Sequence, residues 1–170
     1  RGWTRDFGPI FVRRDSEPAI VRFRFNGWAR YPDWPKDDAV AERAARALKC
    51  RLFRAETEEH PPRLLVLEGG AVDGNGRGAL LATEECLLDP ATQVRNPGLG
   101  RQGTEAALRA YLGASQILWL GRGIAGDDTH GHVDDICRFV GPRAVVLCRE
   151  DDPRDSNYRP LEENYERLQG

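Results

Sequence analysis

The sequence predicts a mixed α+β chain in which one strand-and-helix unit recurs, on three observations. Strand-like runs come in groups, each group is followed by a helix, and the helix starts fall near Asp38, Thr104 and Pro160. That order is neither the strict alternation of a doubly wound sheet nor the strand-only pattern of a β-sandwich. No repeat is visible at the level of individual residues.

Val21, Phe23 and Phe25 alternate with Arg22 and Arg24, the period-two pattern of a half-buried strand, and Asn26-Gly27 closes it. After a Pro-rich loop, Asp37 or Asp38 is placed to cap a helix that carries Val40, Ala44, Ala47 and Leu48 at helical spacing. Apolar runs at residues 50–53, 64–67 and 79–82 read as strands, separated by His60-Pro61-Pro62 and by the turn Gly74-Asn75-Gly76. Thr104 is expected to cap a second helix that reaches Leu112 and stops at Gly113. Strands are expected at 116–120, 136–140 and 144–147, and a third helix at 160–168. The acidic stretch 150–155 reads as a solvated loop.

With 170 residues, 40% hydrophobic and 31% charged, the chain can bury one core. It has no apolar run near the roughly 18 residues of a bilayer span and no basic-then-apolar leader, so no membrane partner and a cytoplasmic setting are expected. It lacks methionine and opens Arg1-Gly2-Trp3, which leads to the expectation of a central piece of a longer protein. Net charge is −2, and the basic residues are almost all arginines scattered among acids, which excludes the basic face of a nucleic-acid binder. Cys50, Cys86, Cys137 and Cys148 form no CxxC pair and read as reduced core thiols.

Three segments carry polar residues that turns and caps do not explain: Trp3-Thr4-Arg5-Asp6-Phe7-Gly8-Pro9, Leu67-Glu68-Gly69-Gly70, and residues 126–135 with His130, His132 and Asp134. If 132–134 is extended, His132 and Asp134 share a face, and an imidazole converges with a carboxylate. That pair suits a general acid/base beside a cation-binding group. It also suits half of a metal site, since His130-x-His132-x-Asp134 has a spacing known from zinc hydrolases. Only His60 remains as a further histidine, so no metal is expected. Glu68 before two glycines lets another backbone approach and leaves the acid free to meet an imidazole. Gly74-x-Gly76-x-Gly78 lacks the Lys-Ser/Thr of a phosphate loop and reads as a hairpin turn.

Taken together, Trp-x-Arg-Asp-x-Gly-Pro, Glu-Gly-Gly and Gly-Asp-x-Thr-x-Gly-His-x-Asp resemble the agmatine deiminase and bacterial-type peptidylarginine deiminase family of guanidine-modifying enzymes. Phe25-Asn26-Gly27-Trp28, Asp37-Asp38-Ala39-Val40 and Arg95-Asn96-Pro97-Gly98 are similar to that family too, so the resemblance covers nearly the whole chain. It implies a pentein, an α/β propeller of ββαβ units, of which 1–170 would be an incomplete part belonging to a catalytic domain. It implies Asp6 and Asp134 as carboxylates for the substrate guanidinium, His132 as acid/base, Glu68 as the acid that orients it, and Trp3 as a pocket residue. It also implies agmatine as substrate, N-carbamoylputrescine and ammonia as products, a role in polyamine synthesis, and a homo-oligomeric partner. The family needs no cofactor and attacks with a cysteine thiolate near its C-terminus. No cysteine here fits that place: alternation from Asp134 puts Ile136 on the catalytic face and Cys137 on the other, and Cys148 reads as core. No nucleophile is therefore assigned in this chain. Peptidylarginine, or another guanidine, is the alternative substrate. A non-catalytic guanidinium- or polyamine-binding module is the alternative of another class.

Overall fold

The computed structural model describes residues 2–169; Arg1 and Gly170, the ends of the expected fragment, lie outside the described residues. A one-turn helix α1 (Thr4–Phe7) leads into β1 (Ile10–Arg14), which returns antiparallel as β2 (Glu17–Arg22) with Ile10 opposite Val21. Helices α2 (Pro35–Asp38) and α3 (Val40–Leu48) then deliver β3 (Arg51–Arg54) parallel to β2. The second unit repeats the scheme: β4 (Val72–Gly74) and β5 (Ala79–Thr83) form a hairpin. Helices α4 (Glu84–Leu88) and α5 (Gly100–Leu112) then bring β6 (Gln116–Leu120) parallel to β5. A third unit starts with the hairpin β7 (Cys137–Gly141) and β8 (Ala144–Leu147), followed by α6 (Tyr158–Gln169). Among the described residues no further strand joins β8. The recurring unit is thus ββαβ, complete twice.

A short helical turn stands at the entrance of each unit. α1 precedes β1, a 3-10 turn at Gly69–Ala71 precedes β4, and another at Val133–Asp135 precedes β7. The turns at Gly69–Ala71 and Val133–Asp135 touch, and α1 lies against the first of them. Packing on both faces of β5 holds them there. Its Ala82 joins a core with Val21, Leu67, Val72 and Leu108, while its neighbour Leu81 joins Leu120, Val133, Ile136 and Leu161.

Several local expectations are corrected. Asp38 caps no helix: its carboxylate accepts both Nη groups of the buried Arg22, at 3.0 and 2.9 Å, and the Phe25 N–H at 2.8 Å. A buried guanidinium outbids a helix end for that carboxylate, because it would otherwise be an unpaired charge. Thr104 is likewise not a cap; α5 begins four residues earlier, and the Thr104 hydroxyl donates to the Gly100 carbonyl at 2.8 Å. Residues 64–67 are extended and buried but pair only by single bridges, Val66 to Arg24 and Leu64 to Glu56. The missing neighbour of Val66 is replaced by the Asn96 amide, which takes its N–H at 2.9 Å and gives to its carbonyl at 2.8 Å. Ile136 and Cys137 do not divide between faces: both are buried in one core. Cys148 is exposed just past β8 and is no core thiol. The Gly74-Asn75-Gly76 segment is the hairpin turn expected, with Gly76 and Gly78 at positive φ and the Asn75 side chain accepting from Arg77 and Ala79 N–H.

Asn164 of α6 is wholly buried and closes the end of β6, taking the Gly121 N–H at 2.7 Å and donating to the Arg122 carbonyl at 2.7 Å. Asn164→Ala strands both backbone groups and is expected to cost about 2–4 kcal/mol, read as a lower urea midpoint at unchanged slope.

Candidate active site

The three entrance turns meet over one glycine. A Cβ added to Gly70 would lie 2.4 Å from His132 Nδ1, 2.6 Å from Asp6 Oδ1 and 2.9 Å from Asp134 Oδ1, so three functional atoms converge where a side chain would be. Gly69 is needed for a different reason: its Cβ would meet the Arg5 carbonyl at 2.1 Å, and without it α1 lies flat on the turn. The Glu-Gly-Gly signal therefore marks two close approaches, one of backbone and one of side chains.

Asp6 is held by two true hydrogen bonds, from the Gly70 N–H to Oδ1 at 3.1 Å and from the Trp28 indole to Oδ2 at 3.1 Å. His132 stands between the carboxylates, with Nδ1 3.6 Å from Asp6 Oδ1 and 3.8 Å from Asp134 Oδ1, and Nε2 3.7 Å from Glu68 Oε2. These are ion-pair separations, longer than hydrogen bonds. His132 and Asp134 do share a side, but not by strand alternation, because Val133–Asp135 is a 3-10 turn. Asp127 shapes that loop, accepting from the N–H groups of Thr129 and Gly131 at 2.7 Å each and of His132 at 3.3 Å.

Glu68 is fully buried and paired with the equally buried Arg95, Nε to Oε1 at 3.1 Å. Burial drives the Glu68 carboxyl upward, but Arg95 and then His132 outweigh it and hold it below its ordinary value. Burial also opposes a charged His132, yet Glu68 and Asp6 overcome it, so the imidazole titrates above its ordinary value. Asp6 and Asp134 are both raised, chiefly by burial, with His132 pulling each back. Three carboxylates thus face two buried cations, Arg95 and His132, with the half-exposed Arg5 beside Asp134.

Arg95 and Trp28 are the site residues that motif reading passed over without a role. Arg95 also donates to the carbonyls of Gln93 at 2.9 Å and Thr129 at 2.5 Å, tying the loop before α5 to the loop of His132. Trp28 lies in a tight turn at φ 59°, between Gly27 and Ala29, also at positive φ. Its ring meets Trp3 edge-on at 6.1 Å. Trp3, 61% exposed, stands with Trp28 and Tyr31 on the wall of a cleft of about 710 Å³ that has Asp6, His132 and Asp134 inside it.

His130 is no part of this group. It sits at φ 64° and pairs with Asp89, Nε2 to Oδ2 at 2.8 Å, which removes the His130-His132-Asp134 zinc arrangement. Glu68, Cys86 and His132 do bring ligand atoms within 4.8 Å of one another. Arg95 already occupies both Glu68 oxygens and would repel a cation, and burial pushes the Cys86 thiol far up, so these residues do not suit a metal. Cys86 is buried, and Cys137 is buried in the core with its thiol pushed up to about 11.

The profile of the Porphyromonas-type peptidyl-arginine deiminase family matches residues 1–170. An agmatine deiminase of Pseudomonas fluorescens is 41% identical over 162 residues, covering 92% of this chain and 41% of that protein; one of Stutzerimonas stutzeri gives the same figures. Among solved structures, the agmatine deiminase of Enterococcus faecalis superposes with a TM-score of 0.85 at 36% identity, over 97% of this chain and 44% of that one. A C. jejuni agmatine deiminase solved with substrate bound gives 0.84 at 30%, over 98% and 47%. The chain therefore spans less than half the length of these relatives, and its fold is an unclosed portion of the pentein propeller.

Arg95→Met leaves a buried, unpaired carboxylate and is expected to cost about 3–5 kcal/mol in urea unfolding, whereas Arg95→Met combined with Glu68→Gln costs less than Arg95→Met alone. Gly70→Ala forces His132 and both aspartates apart and is expected to cost about 1–3 kcal/mol.

Proposed function

The chain belongs to the Porphyromonas-type peptidyl-arginine deiminase family, and from that premise we propose that it is the central, guanidinium-binding part of an agmatine deiminase. The observation that carries this reading is the convergence of Asp6, Asp134 and His132 over Gly70. A guanidinium is planar, carries one positive charge and offers five N–H donors. Two carboxylates that border one space over Gly70 are what such a cation needs on binding. The gap exists because residue 70 has no side chain.

In the reaction proposed, a cysteine thiolate from outside residues 1–170 attacks the central guanidinium carbon and gives a tetrahedral adduct. His132, kept protonated by Glu68 and Asp6, donates its proton to a terminal nitrogen, the C–N bond breaks and ammonia leaves. The neutral imidazole then takes a proton from water, whose oxygen adds to the amidino-thioether carbon. The C–S bond breaks, the thiolate is restored, the adduct's hydroxyl proton is lost to solvent water as the C=O forms, and a carbamoyl amine departs. Glu68 holds charge on the imidazole from behind and touches no substrate atom. Asp6 and Asp134 grip the reacting group, and Trp3 with Trp28 lines its approach. Such a reaction needs no cofactor. Peptidylarginine stays as the second substrate, favoured by the cleft volume of about 710 Å³ and the exposure of Trp3 on its wall.

The full-length protein that contains this chain is expected to release ammonia from agmatine, and His132→Ala to lower that release at least a hundredfold. A loss under tenfold removes His132 from the role given to it. Agmatine and a peptidylarginine compared in the same assay decide the substrate. If neither yields ammonia while calorimetry detects agmatine binding, the chain serves a non-catalytic binding module.

A further inference from the structure

The two carboxylates over Gly70 are held by different forces. Asp6 has a hydrogen bond on each oxygen, whereas Asp134 accepts no hydrogen bond among the described residues and is flanked only by charges. His132 Nδ1 faces its Oδ1 at 3.8 Å, and Arg5 Nε faces its Oδ2 at 3.8 Å. We propose that Arg5 is a positioning residue, which engages the far oxygen of Asp134 and so turns the near oxygen toward the gap over Gly70. This rests on the guanidinium-binding reading above.

Arg5 is well anchored for that task. Its own backbone lies on Gly69, its Nη2 donates to the Val72 carbonyl at 3.4 Å, and the same nitrogen faces Asp73 Oδ1 at 3.6 Å. Asp73 is buried and fixed by the third unit, accepting Arg138 Nε on the same Oδ1 at 3.0 Å and the Phe139 N–H on Oδ2 at 2.7 Å. The line Asp134, Arg5, Asp73, Arg138 therefore passes through all three units. The Arg5 side chain is half exposed and lines the same cleft as Asp6, His132 and Asp134, meeting the far oxygen of Asp134 from the cleft wall.

Arg5 also bears on the charge of Asp134. The ionisable groups around that carboxyl are His132, Asp6, Asp135, Arg5 and Arg138. Burial raises its pKa, His132 opposes this, Asp6 adds to it, and Arg5 and Arg138 pull it down. Removing Arg5 leaves one cation fewer on the lowering side, so Asp134 protonates at higher pH and ceases to be an acceptor for a cation there.

The test is made on the full-length protein with agmatine as substrate. Arg5→Gln is expected to raise KM about tenfold with kcat within threefold, and to move the acid limb of kcat/KM to higher pH; Arg5→Lys, which keeps the charge, restores most of both. A KM and acid limb within twofold of wild type in folded Arg5→Gln overturn the proposal, as does an Arg5→Lys variant as impaired as Arg5→Gln. Should the wild type prove inactive on agmatine, the deiminase reading fails separately. Carbon-13 titration of the Asp134 carboxyl, assigned by Asp134→Asn, then reads Arg5 alone: a higher midpoint in Arg5→Gln supports it and an unchanged one overturns it.

Discussion

Burying a carboxylate is costly unless a cation goes with it, and Glu68 is buried completely with Arg95 at its side. Everything charged in the site hangs from that pair. Because Arg95 keeps Glu68 ionised, Glu68 can keep His132 cationic; because His132 is cationic, Asp6 and Asp134 can lie close to each other in a half-dry cleft. Arg95 ties the same point to the backbone, through the carbonyls of Gln93 and Thr129, so the charge is fixed in place as well as in amount. A pair of this kind adds little to net stability. Its worth is that removing either member leaves the other uncompensated, which locks the arrangement.

The site is also a product of repetition. Each unit brings its chain to the first strand through one helical turn, and the three turns face the same axis: Asp6 from the first, Glu68 and Gly70 from the second, His132 and Asp134 from the third. No single unit holds a working set. The contacts between units, through Gly69 against Arg5 and through Asp73 with Arg5 and Arg138, therefore set the distances within the candidate site as much as any local turn does.

Much of this was legible in the chain because the signals were local. Hairpin turns at Gly74-Asn75-Gly76, the helix stop at Gly113 and the strands at 116–120 and 144–147 depend on neighbours in sequence, and they fall where periodicity and turn chemistry put them. Asp6, Glu68, His132 and Asp134 stood out because polar residues beside apolar runs lacked a turn to explain them. What stayed hidden depends on distant partners. Asp38 looked like a cap until Arg22, sixteen residues away, claimed it. Arg95 stood in the family-like stretch Arg95-Asn96-Pro97-Gly98 without a role, since nothing near it in sequence reveals Glu68. His132 and Asp134 were expected to share a face by strand alternation, and they share it through a 3-10 turn instead.

Gly70 has one further consequence, of a genetic kind. Any glycine codon becomes an alanine codon by a single base change, so the space in which the two carboxylates and the imidazole meet can be filled by one methyl group in one mutational step. No neighbouring substitution can easily reopen it, because the groups that crowd the position come from two other units, Asp6 from the first and His132 and Asp134 from the third. A lineage that lost the gap at Gly70 would keep a recognisable propeller while losing the space proposed here for a guanidinium, and sequence similarity alone would not report the loss.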